Sequence, residues 1–356
     1  MHLEDLGLNS KLQQLWVDQN PDNLEIGRII AEYKERYLVK TSEGEFEAEI
    51  TGNMRFTAGR REDFPAVGDW VALVIYDHDF AVIHKILPRF SVLKRRAVGV
   101  SGDIQLIATN IDFAFLVQAA DRDFNINRLE RFLTICYSGK VVPIIVLTKT
   151  DLTDNQRISE LFDSIKDRIK NVPVLAISNE TLDGMEALSN LIEKGKTYCM
   201  LGSSGVGKST LLNNLSGRDI MKTSEISQSS QRGRHVTSHR ELTVLTNGGI
   251  IIDNPGMREV GIADVSGGLE ATFNSIISLS GNCRFKDCTH THEVGCSILA
   301  ALDSGELDPA SYDNYLKMEK EKSHFETTVA EKRKKEKIFG KIIKNYLDKD
   351  IKQRKP

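Results

Sequence analysis

The chain has 356 residues, of which 40% are hydrophobic and 27% are charged, and its formal net charge is −3. That length predicts two or three domains of a soluble globular protein, and the near-neutral charge excludes a uniformly basic nucleic-acid binder. The acidic start MHLEDLGLNS excludes a secretory signal, and no run reaches the roughly 18 apolar residues of a membrane span. We therefore expect a cytoplasmic protein without stable disulfides.

Residues 24–96, which follow an N-terminal extension (1–23), contain four runs of strand length. These runs are IGRIIAEYKERYLVKT, EFEAEIT, DWVALVIY and FAVIHKIL, and turn-forming residues separate them. Several short strands without a helical pattern predict a small β-barrel, of which the oligonucleotide-binding (OB) fold is one kind.

A basic segment, HKILPRFSVLKRR (84–96), ends this region and contains no acid. Its cations are Lys85, Arg89, Lys94, Arg95 and Arg96. A basic stripe with Phe90 between its charges can follow a phosphate backbone, so we expect contact with RNA. The alternative is a solvated linker.

Residues 97–265 alternate between strand and helix patterns from about residue 104 onward. Predicted strands are FAFLVQAA, VVPIIVLT, PVLAIS and TYCMLG, and predicted helices are NRLERFLTICY, a segment near 154–168, GMEALSNLIE and KSTLLNNLSG. ELTVLT and GIIIDN, joined by Asn247-Gly248, predict a β-hairpin. This alternation indicates a mostly parallel sheet covered by helices.

The remaining chain divides into a helical, Cys/His-rich region (266–325) and a charged tail (326–356). Glu331–Pro356 contains 11 Lys or Arg against 4 Asp or Glu, a local net charge of +7. The tail is either a solvated helical face or a surface that docks on RNA.

The segment LGSSGVGKST satisfies the GxxxxGK[ST] pattern of a phosphate-binding loop between a strand and a helix. Its predicted nucleotide-binding residues are Gly202, Ser203, Ser204, Gly205, Val206, Gly207, Lys208, Ser209 and Thr210. Backbone N–H groups and the helix N-terminus would bind phosphate oxygens. Lys208 would neutralise the β- and γ-phosphates, in binding and in catalysis, and Ser209 would supply an oxygen to Mg²⁺.

A second phosphate-side element, IIIDNPG, ends an apolar strand. Asp253 would hold Mg²⁺ through water, and Gly256 would donate its N–H to the γ-phosphate. DxxG alone is a common pattern, but its position at a strand end after the phosphate-binding loop favours this role.

The segment TKTD follows the strand VVPIIVL and resembles the base-reading motif of guanine-nucleotide proteins. Asp151 would accept hydrogen bonds from the guanine N1–H and amino group, which adenine does not offer in that arrangement. Lys149 would pack over the base. Thr148 stands where Asn is usual, and a hydroxyl makes fewer hydrogen bonds. Ser178 of AISN would complete the pocket, unless that segment is a plain turn.

The order of these motifs differs from that of most GTPases, because the base-reading segments precede the phosphate-binding loop. Each motif ends a strand of one parallel sheet, and ligands bind at the carboxyl ends of such strands. The site requires these loops at one edge rather than in one chain order. The order therefore indicates a circular permutation.

The chain closely resembles the ribosome small subunit-dependent GTPase A family (RsgA, also called YjeQ). The resemblance rests on the motif order and on PAVGDW, FNINRLERFL, GRHVTSHREL and CRFKDCTHTHEVGC. It implies an N-terminal OB-fold barrel, a central circularly permuted α/β GTPase domain and a C-terminal, mostly helical zinc domain. It also implies a role in late maturation of the small ribosomal subunit.

The family supplies two further site residues. Met257 occupies the place where many GTPases have the Gln that orients water, and the family's proposed substitute falls on His235. Thr237 matches the expected switch ligand of Mg²⁺. A surface position in a mobile loop is the alternative interpretation of His235.

Cys283, Cys288, His290 and Cys296 have the spacing C-x4-C-x-H-x5-C. Three thiolates and one imidazole complete a tetrahedral Zn²⁺ site and leave no open position, so the role would be structural. His292 is the rival ligand, although the family motif favours His290. A disulfide would leave one cysteine over.

The sequence thus predicts a monomeric GTPase that binds GTP and GDP, the small ribosomal subunit and its rRNA, and no membrane. Intrinsic hydrolysis should be slow and should accelerate on the subunit. One alternative is an RNA-binding assembly chaperone for which GTP is only a ligand. A P-loop kinase or ATPase is a third, which Asp151 disfavours.

Overall fold

The computed structural model of the chain describes residues 2–19, 24–33, 36–96, 104–121, 123–217, 240–253 and 267–327. Within these residues, no helix is long and apolar enough to cross a bilayer.

The N-terminal region is a closed five-stranded barrel preceded by a helix. Its elements are α1 (Ser10–Gln19), β1 (Glu25–Glu32), β2 (Tyr37–Lys40), β3 (Glu45–Ile50), α2 (Gly52–Thr57), β4 (Trp70–Ile75) and β5 (Phe80–Ile86). The strand order is β1-β2-β3-β5-β4, and β4 pairs with β1 to close the barrel. Only the β3–β5 pair is parallel. This topology confirms the predicted OB-type barrel.

The first predicted strand is wrong in extent, because IGRIIAEYKERYLVKT folds into two strands. β1 and β2 pair antiparallel, and the Tyr33 N–H donates to the Arg36 carbonyl at 2.8 Å. The apolar side chains of both strands then face one barrel core, which contains Ile29 and Val39.

The central region is an α/β layer. Its elements are β6 (Val92–Arg96), β7 (Ile104–Thr109), β8 (Phe113–Ala119), α3 (Ile126–Ser138), β9 (Val142–Thr148), α4 (Asn155–Arg168), β10 (Val174–Ala176), α5 (Met185–Asn190), β11 (Thr197–Leu201), α6 (Lys208–Ser216), β12 (Glu241–Val244) and β13 (Ile250–Asp253). The order is β10-β9-β8-β11-β13-β12, parallel except for β12. α3 and α4 pack on one face and α5 and α6 on the other. The predicted parallel sheet and hairpin are confirmed.

The barrel and the central sheet are continuous, because β1 pairs antiparallel with β12 through Ala31 and Glu241. β6 and β7 form a separate antiparallel ribbon. The strand that pairs with the barrel therefore also belongs to the hairpin that ends at Asp253.

The C-terminal region is helical. It contains α7 (Gly268–Thr272), α8 (Asn274–Ser280), α9 (Ser297–Asp303) and a C-terminal helix over residues 309–327. A separate apolar cluster fills it, with Phe273, Ile276 and Met318 at its centre. This arrangement confirms the predicted helical C-terminal domain.

The basic segment 84–96 does not present all its cations to solvent. Arg89 forms two hydrogen bonds to the fully buried Asp69 carboxylate, at 2.8 and 2.6 Å. Lys94 pairs with Glu62 at 2.5 Å, and Arg95 donates to the Gln105 side chain at 2.9 Å. These cations stabilise the fold, so RNA contact by the segment stays a prediction.

Candidate nucleotide site and metal cluster

The predicted nucleotide motifs lie at one edge of the central sheet. β9 ends at Thr148, beside the end of β10 at Ala176. β11 ends at Leu201 and pairs in parallel with β8 and with β13, which ends at Asp253. Because these strands are parallel, their following loops meet on the same side. The sheet thus brings together motifs that are separated by about a hundred residues of chain.

The phosphate-binding loop turns between β11 and α6 through positive φ angles that favour glycine. Gly205 has φ +82° and Gly207 has φ +93°. A Cβ atom on Gly202 would lie 2.5 Å from the Val117 carbonyl oxygen, so only glycine fits there. Ser209 and Thr210 lie in the first turn of α6, and Ser204 is exposed at the loop tip. The pattern seen in the sequence therefore has the local backbone that a phosphate-binding loop requires.

Lys208 folds back over this loop. Its Nζ donates to the Gly202 and Ser203 carbonyl oxygens at 2.9 and 2.7 Å. Burial lowers the pKa of the Lys208 ammonium to about 8, and the Asp253 carboxylate opposes that shift. Asp253 is itself buried at the end of β13. The Asp253 carboxylate therefore acts electrostatically on the Lys208 ammonium group.

Thr148 contacts the phosphate-binding loop directly. Its hydroxyl lies 2.6 Å from the Val206 carbonyl and 3.3 Å from the Gln118 carbonyl, and the residue is fully buried. Lys149 takes the left-handed conformation with φ +59°, and its Nζ lies 3.5 Å from Asp121 Oδ2. The TKTD segment therefore adjoins the phosphate-binding loop as predicted.

Asp151 and Ser178 meet across two loops. The Ser178 hydroxyl donates to Asp151 Oδ1 at 2.6 Å, and its oxygen accepts from the Glu180 and Thr181 N–H groups. Ser178 is fully buried, so it holds the exposed Asp151 carboxylate in a fixed position. The AISN segment thus ends in a turn at residues 179–181, and its Ser178 also bonds to the base-reading segment; the role of Ser178 in a base pocket stays a prediction.

Two residues near these loops have no assigned role in the sequence motifs. Asn179 donates from its amide to the Gly207 carbonyl at 3.1 Å. Arg128, at the start of α3, donates to the Ser203 hydroxyl and to Asp123 Oδ2, both at 3.1 Å. Asn179 ends the AISN segment and Arg128 lies in FNINRLERFL. The sequence therefore pointed to both segments, but it could not show which atoms these two side chains contact.

Three predicted site residues lie outside the described residues. They are His235, Thr237 and Gly256. Their roles stay predictions.

The four predicted metal ligands converge in the C-terminal region. The ligand atoms of Cys283, Cys288, His290 and Cys296 all lie within 4.8 Å of one another. His290 Nδ1 is 3.5 Å from the Sγ atoms of Cys283 and Cys296, which are 3.9 Å apart. Tetrahedral Zn²⁺ with Zn–S bonds of about 2.3 Å would place two sulfurs about 3.8 Å apart. The cluster therefore fits a tetrahedral metal ion.

The surrounding residues fix this cluster. Tyr312 on the C-terminal helix donates its hydroxyl to the His290 carbonyl at 2.5 Å. The Glu293 carboxylate accepts from the Thr289 and Thr291 N–H groups at 2.8 and 3.1 Å. His292 is exposed and its Nδ1 lies 2.8 Å from the Thr291 hydroxyl. His292 therefore lies outside the metal group, as predicted.

Comparisons with known proteins bear on this geometry. The family model described as RsgA GTPase matches residues 86–263. "Small ribosomal subunit biogenesis GTPase RsgA 2" of Lactiplantibacillus plantarum is 40% identical over 96% of this chain and 95% of its own. "Small ribosomal subunit biogenesis GTPase RsgA 1" of Bacteroides thetaiotaomicron is 41% identical over 92% of this chain and 90% of its own. The chain belongs to the RsgA GTPase family.

Solved structures agree with this membership. The structure of YloQ, described as a circularly permuted GTPase, has a TM-score of 0.59 at 25% identity and covers 88% of this chain and 98% of its own. YjeQ from Thermotoga maritima shares the fold, with a TM-score of 0.59 at 24% identity over 83% of this chain and 96% of its own. This RsgA-family protein is thus a circularly permuted GTPase, an enzyme that hydrolyses GTP.

Proposed function

We propose that this RsgA-family GTPase acts in the late maturation of the small ribosomal subunit and that the subunit stimulates its GTP hydrolysis. The observation that carries the proposal is the meeting of base-reading and phosphate-binding segments at one sheet edge, in a chain that matches small-subunit biogenesis GTPases over most of its length. Its partners would be the small subunit, its rRNA, GTP and GDP, and the protein would act as a cytoplasmic monomer.

The geometry of the loops supports the proposed nucleotide contacts. Asp151, held by Ser178 at 2.6 Å, would accept from the guanine N1–H and amino group, and Lys149 would cover the base. The backbone N–H groups of residues 203–210 would bind the phosphates. Lys208 would exchange its two carbonyl partners for phosphate oxygens, which offer a full charge to its ammonium group.

The magnesium and switch residues complete the proposal. Ser209, Asp253 and Thr237 offer hydroxyl and carboxylate oxygens, which are the ligands Mg²⁺ prefers. Bound Mg²⁺ would neutralise charge that develops on the phosphates during hydrolysis. Gly256 would donate to the γ-phosphate, and His235 would orient the attacking water while neutral.

The Cys3His cluster would hold one structural Zn²⁺, because three thiolates and an imidazole suit that ion. The proposed division of the chain is an extension (1–23), an OB-fold RNA-binding barrel (24–96), the permuted GTPase domain (97–265), the zinc domain (266–325) and a basic tail (326–356). The chain runs from Asp253 through the DNPG switch into the zinc domain. Loss of the γ-phosphate could therefore be transmitted to an RNA-contacting domain.

GTP turnover with and without purified small subunits tests the proposal. We expect slow turnover alone, faster turnover with subunits, and competition by GDP but not by ATP. His235→Ala should abolish the stimulated rate and leave GTP affinity nearly unchanged. An unstimulated wild-type rate would favour an assembly chaperone that uses GTP only as a ligand, and equal subunit affinity of the GTP- and GDP-loaded protein would contradict the switch.

A further inference from the structure

Two consecutive carbonyl groups of the phosphate-binding loop accept hydrogen bonds from the base-reading side. The Thr148 hydroxyl lies 2.6 Å from the Val206 carbonyl oxygen. The Asn179 amide nitrogen lies 3.1 Å from the Gly207 carbonyl oxygen. Thr148 ends β9 and Asn179 follows β10, so both base-reading segments hold the loop.

Thr148 can fill only one of these positions. A threonine hydroxyl has a single proton, whereas an asparagine amide has two N–H donors. The 2.6 Å contact with Val206 is much shorter than the 3.3 Å contact with the Gln118 carbonyl, so the proton goes to Val206. Asn is the usual residue at this place in the motif, whereas in this chain the Gly207 carbonyl accepts its hydrogen bond from Asn179.

Asn179 is held in position to donate to the Gly207 carbonyl. The Asn214 amide nitrogen lies 3.0 Å from the Asn179 backbone carbonyl and 3.5 Å from Asn179 Oδ1. A Cβ atom on Gly207 would lie 2.7 Å from the Asn179 amide nitrogen. The close approach of the amide therefore depends on glycine at 207 and on α6, which carries Asn214.

These two bonds orient the donors that face the nucleotide. In a trans peptide the carbonyl and the following N–H lie in one plane and point in opposite directions. The Val206 carbonyl belongs to the same peptide as the Gly207 N–H, and the Gly207 carbonyl to the same peptide as the Lys208 N–H. Fixing the two carbonyls on one side thus fixes two phosphate donors on the other.

We infer that Asn179 is a positioning residue for the nucleotide phosphates, and that it acts together with Thr148 through two consecutive carbonyl groups of the phosphate-binding loop. The inference rests on the proposed function in that GTP and GDP are the ligands. The orientation of the phosphate-binding loop would then depend on Asn179, the residue that directly follows the predicted base-pocket residue Ser178.

Asn179→Ala tests the inference by measuring GTP and GDP affinity and kcat. The variant loses one hydrogen bond to a peptide group that orients the phosphate donors. Its affinity for GTP and for GDP should therefore each fall roughly 5- to 10-fold. Because both nucleotides keep the same β-phosphate contacts, kcat at saturating GTP should stay near the wild-type value. Asn190→Ala, on the exposed end of α5, is the matched control and should bind as the wild type does.

Asn179→Asp separates hydrogen bonding from packing, because it keeps the shape and places a carboxylate oxygen against the Gly207 carbonyl. It should bind at least as weakly as Asn179→Ala. Wild-type affinity in Asn179→Ala or Asn179→Asp would overturn the inference and leave the GTPase assignment intact, whereas a wild-type protein that binds no GTP would overturn both.

Discussion

The Arg28 guanidinium lies 3.0 Å from the Thr197 hydroxyl, where it joins barrel strand β1 to the first residue of β11. Arg28 is fully buried, and burial lowers its pKa to about 10, while the Asp112 and Asp69 carboxylates oppose the shift. Arg28 therefore stays charged at neutral pH. β11 leads directly into the phosphate-binding loop, so this cation connects the barrel to the strand that carries that loop.

Arg28→Met should destabilise the whole chain. The guanidinium also donates to three backbone carbonyls, those of Leu6, Gly68 and Asn110. Leaving such buried acceptors unpaired costs about 1–3 kcal/mol each, so we expect a loss of at least about 3 kcal/mol in urea unfolding. The control is Arg157→Met, which breaks an exposed pair with Glu160 and should cost about 0.5 kcal/mol or less. Equal midpoints for the two variants would contradict this role.

Glu130 on α3 should hold the C-terminal helix. It is 2% exposed, and it accepts from Arg168 and Asn314, each at 2.6 Å, and from Ser311 at 3.2 Å. Glu130→Leu would leave buried donors without their acceptor, at a cost of about 3–5 kcal/mol. In Glu130→Leu, we expect faster hydrogen exchange of the backbone amides in the C-terminal helix, residues 309–327. Asp313→Leu, on an exposed position of the same helix, serves as the control, and unchanged exchange in Glu130→Leu would exclude the coupling.

The motifs with fixed spacing could be predicted from the sequence, and the contacts between distant residues could not. The phosphate-binding loop and the Cys3His cluster follow local patterns, because glycine geometry and ligand spacing are encoded within a few residues. Arg28 is a single cation within an apolar strand, and no local pattern shows whether its side chain faces solvent or Thr197. Glu130 and Asn314 meet only because α3 packs beside the C-terminal helix. Arg89 appeared as part of a basic stripe, whereas the fold pairs it with Asp69.

Nucleotide affinity should depend on pH through Lys208. Burial lowers the pKa of its ammonium group to about 8, and phosphate oxygens favour the charged ammonium, so nucleotide binding should raise that pKa. Below pH 8, the titration of Lys208 should therefore leave nucleotide affinity unchanged. Above pH 8, the affinity should fall by up to about tenfold per pH unit. Calorimetry of GDP binding at pH 8.5 in buffers of different ionisation enthalpy should detect proton uptake, and none at pH 6.5. No uptake at pH 8.5 would mean that Lys208 is already fully charged in the free protein.

Metal removal should unfold the C-terminal region selectively. The purified protein should contain one zinc per chain, and Cys288→Ser should lose it, because a hydroxyl does not replace a thiolate ligand of Zn²⁺. Metal binding contributes directly to folding, and Tyr312 connects the His290 backbone to the C-terminal helix. Hydrogen exchange of the backbone amides in residues 267–327 should therefore rise in Cys288→Ser. GDP affinity should change little, since none of the proposed nucleotide-binding residues lies in this region. His292→Ala should keep both the metal and the protection, because His292 lies outside the ligand group. Loss of zinc in His292→Ala, or its retention in Cys288→Ser, would contradict the ligand assignment.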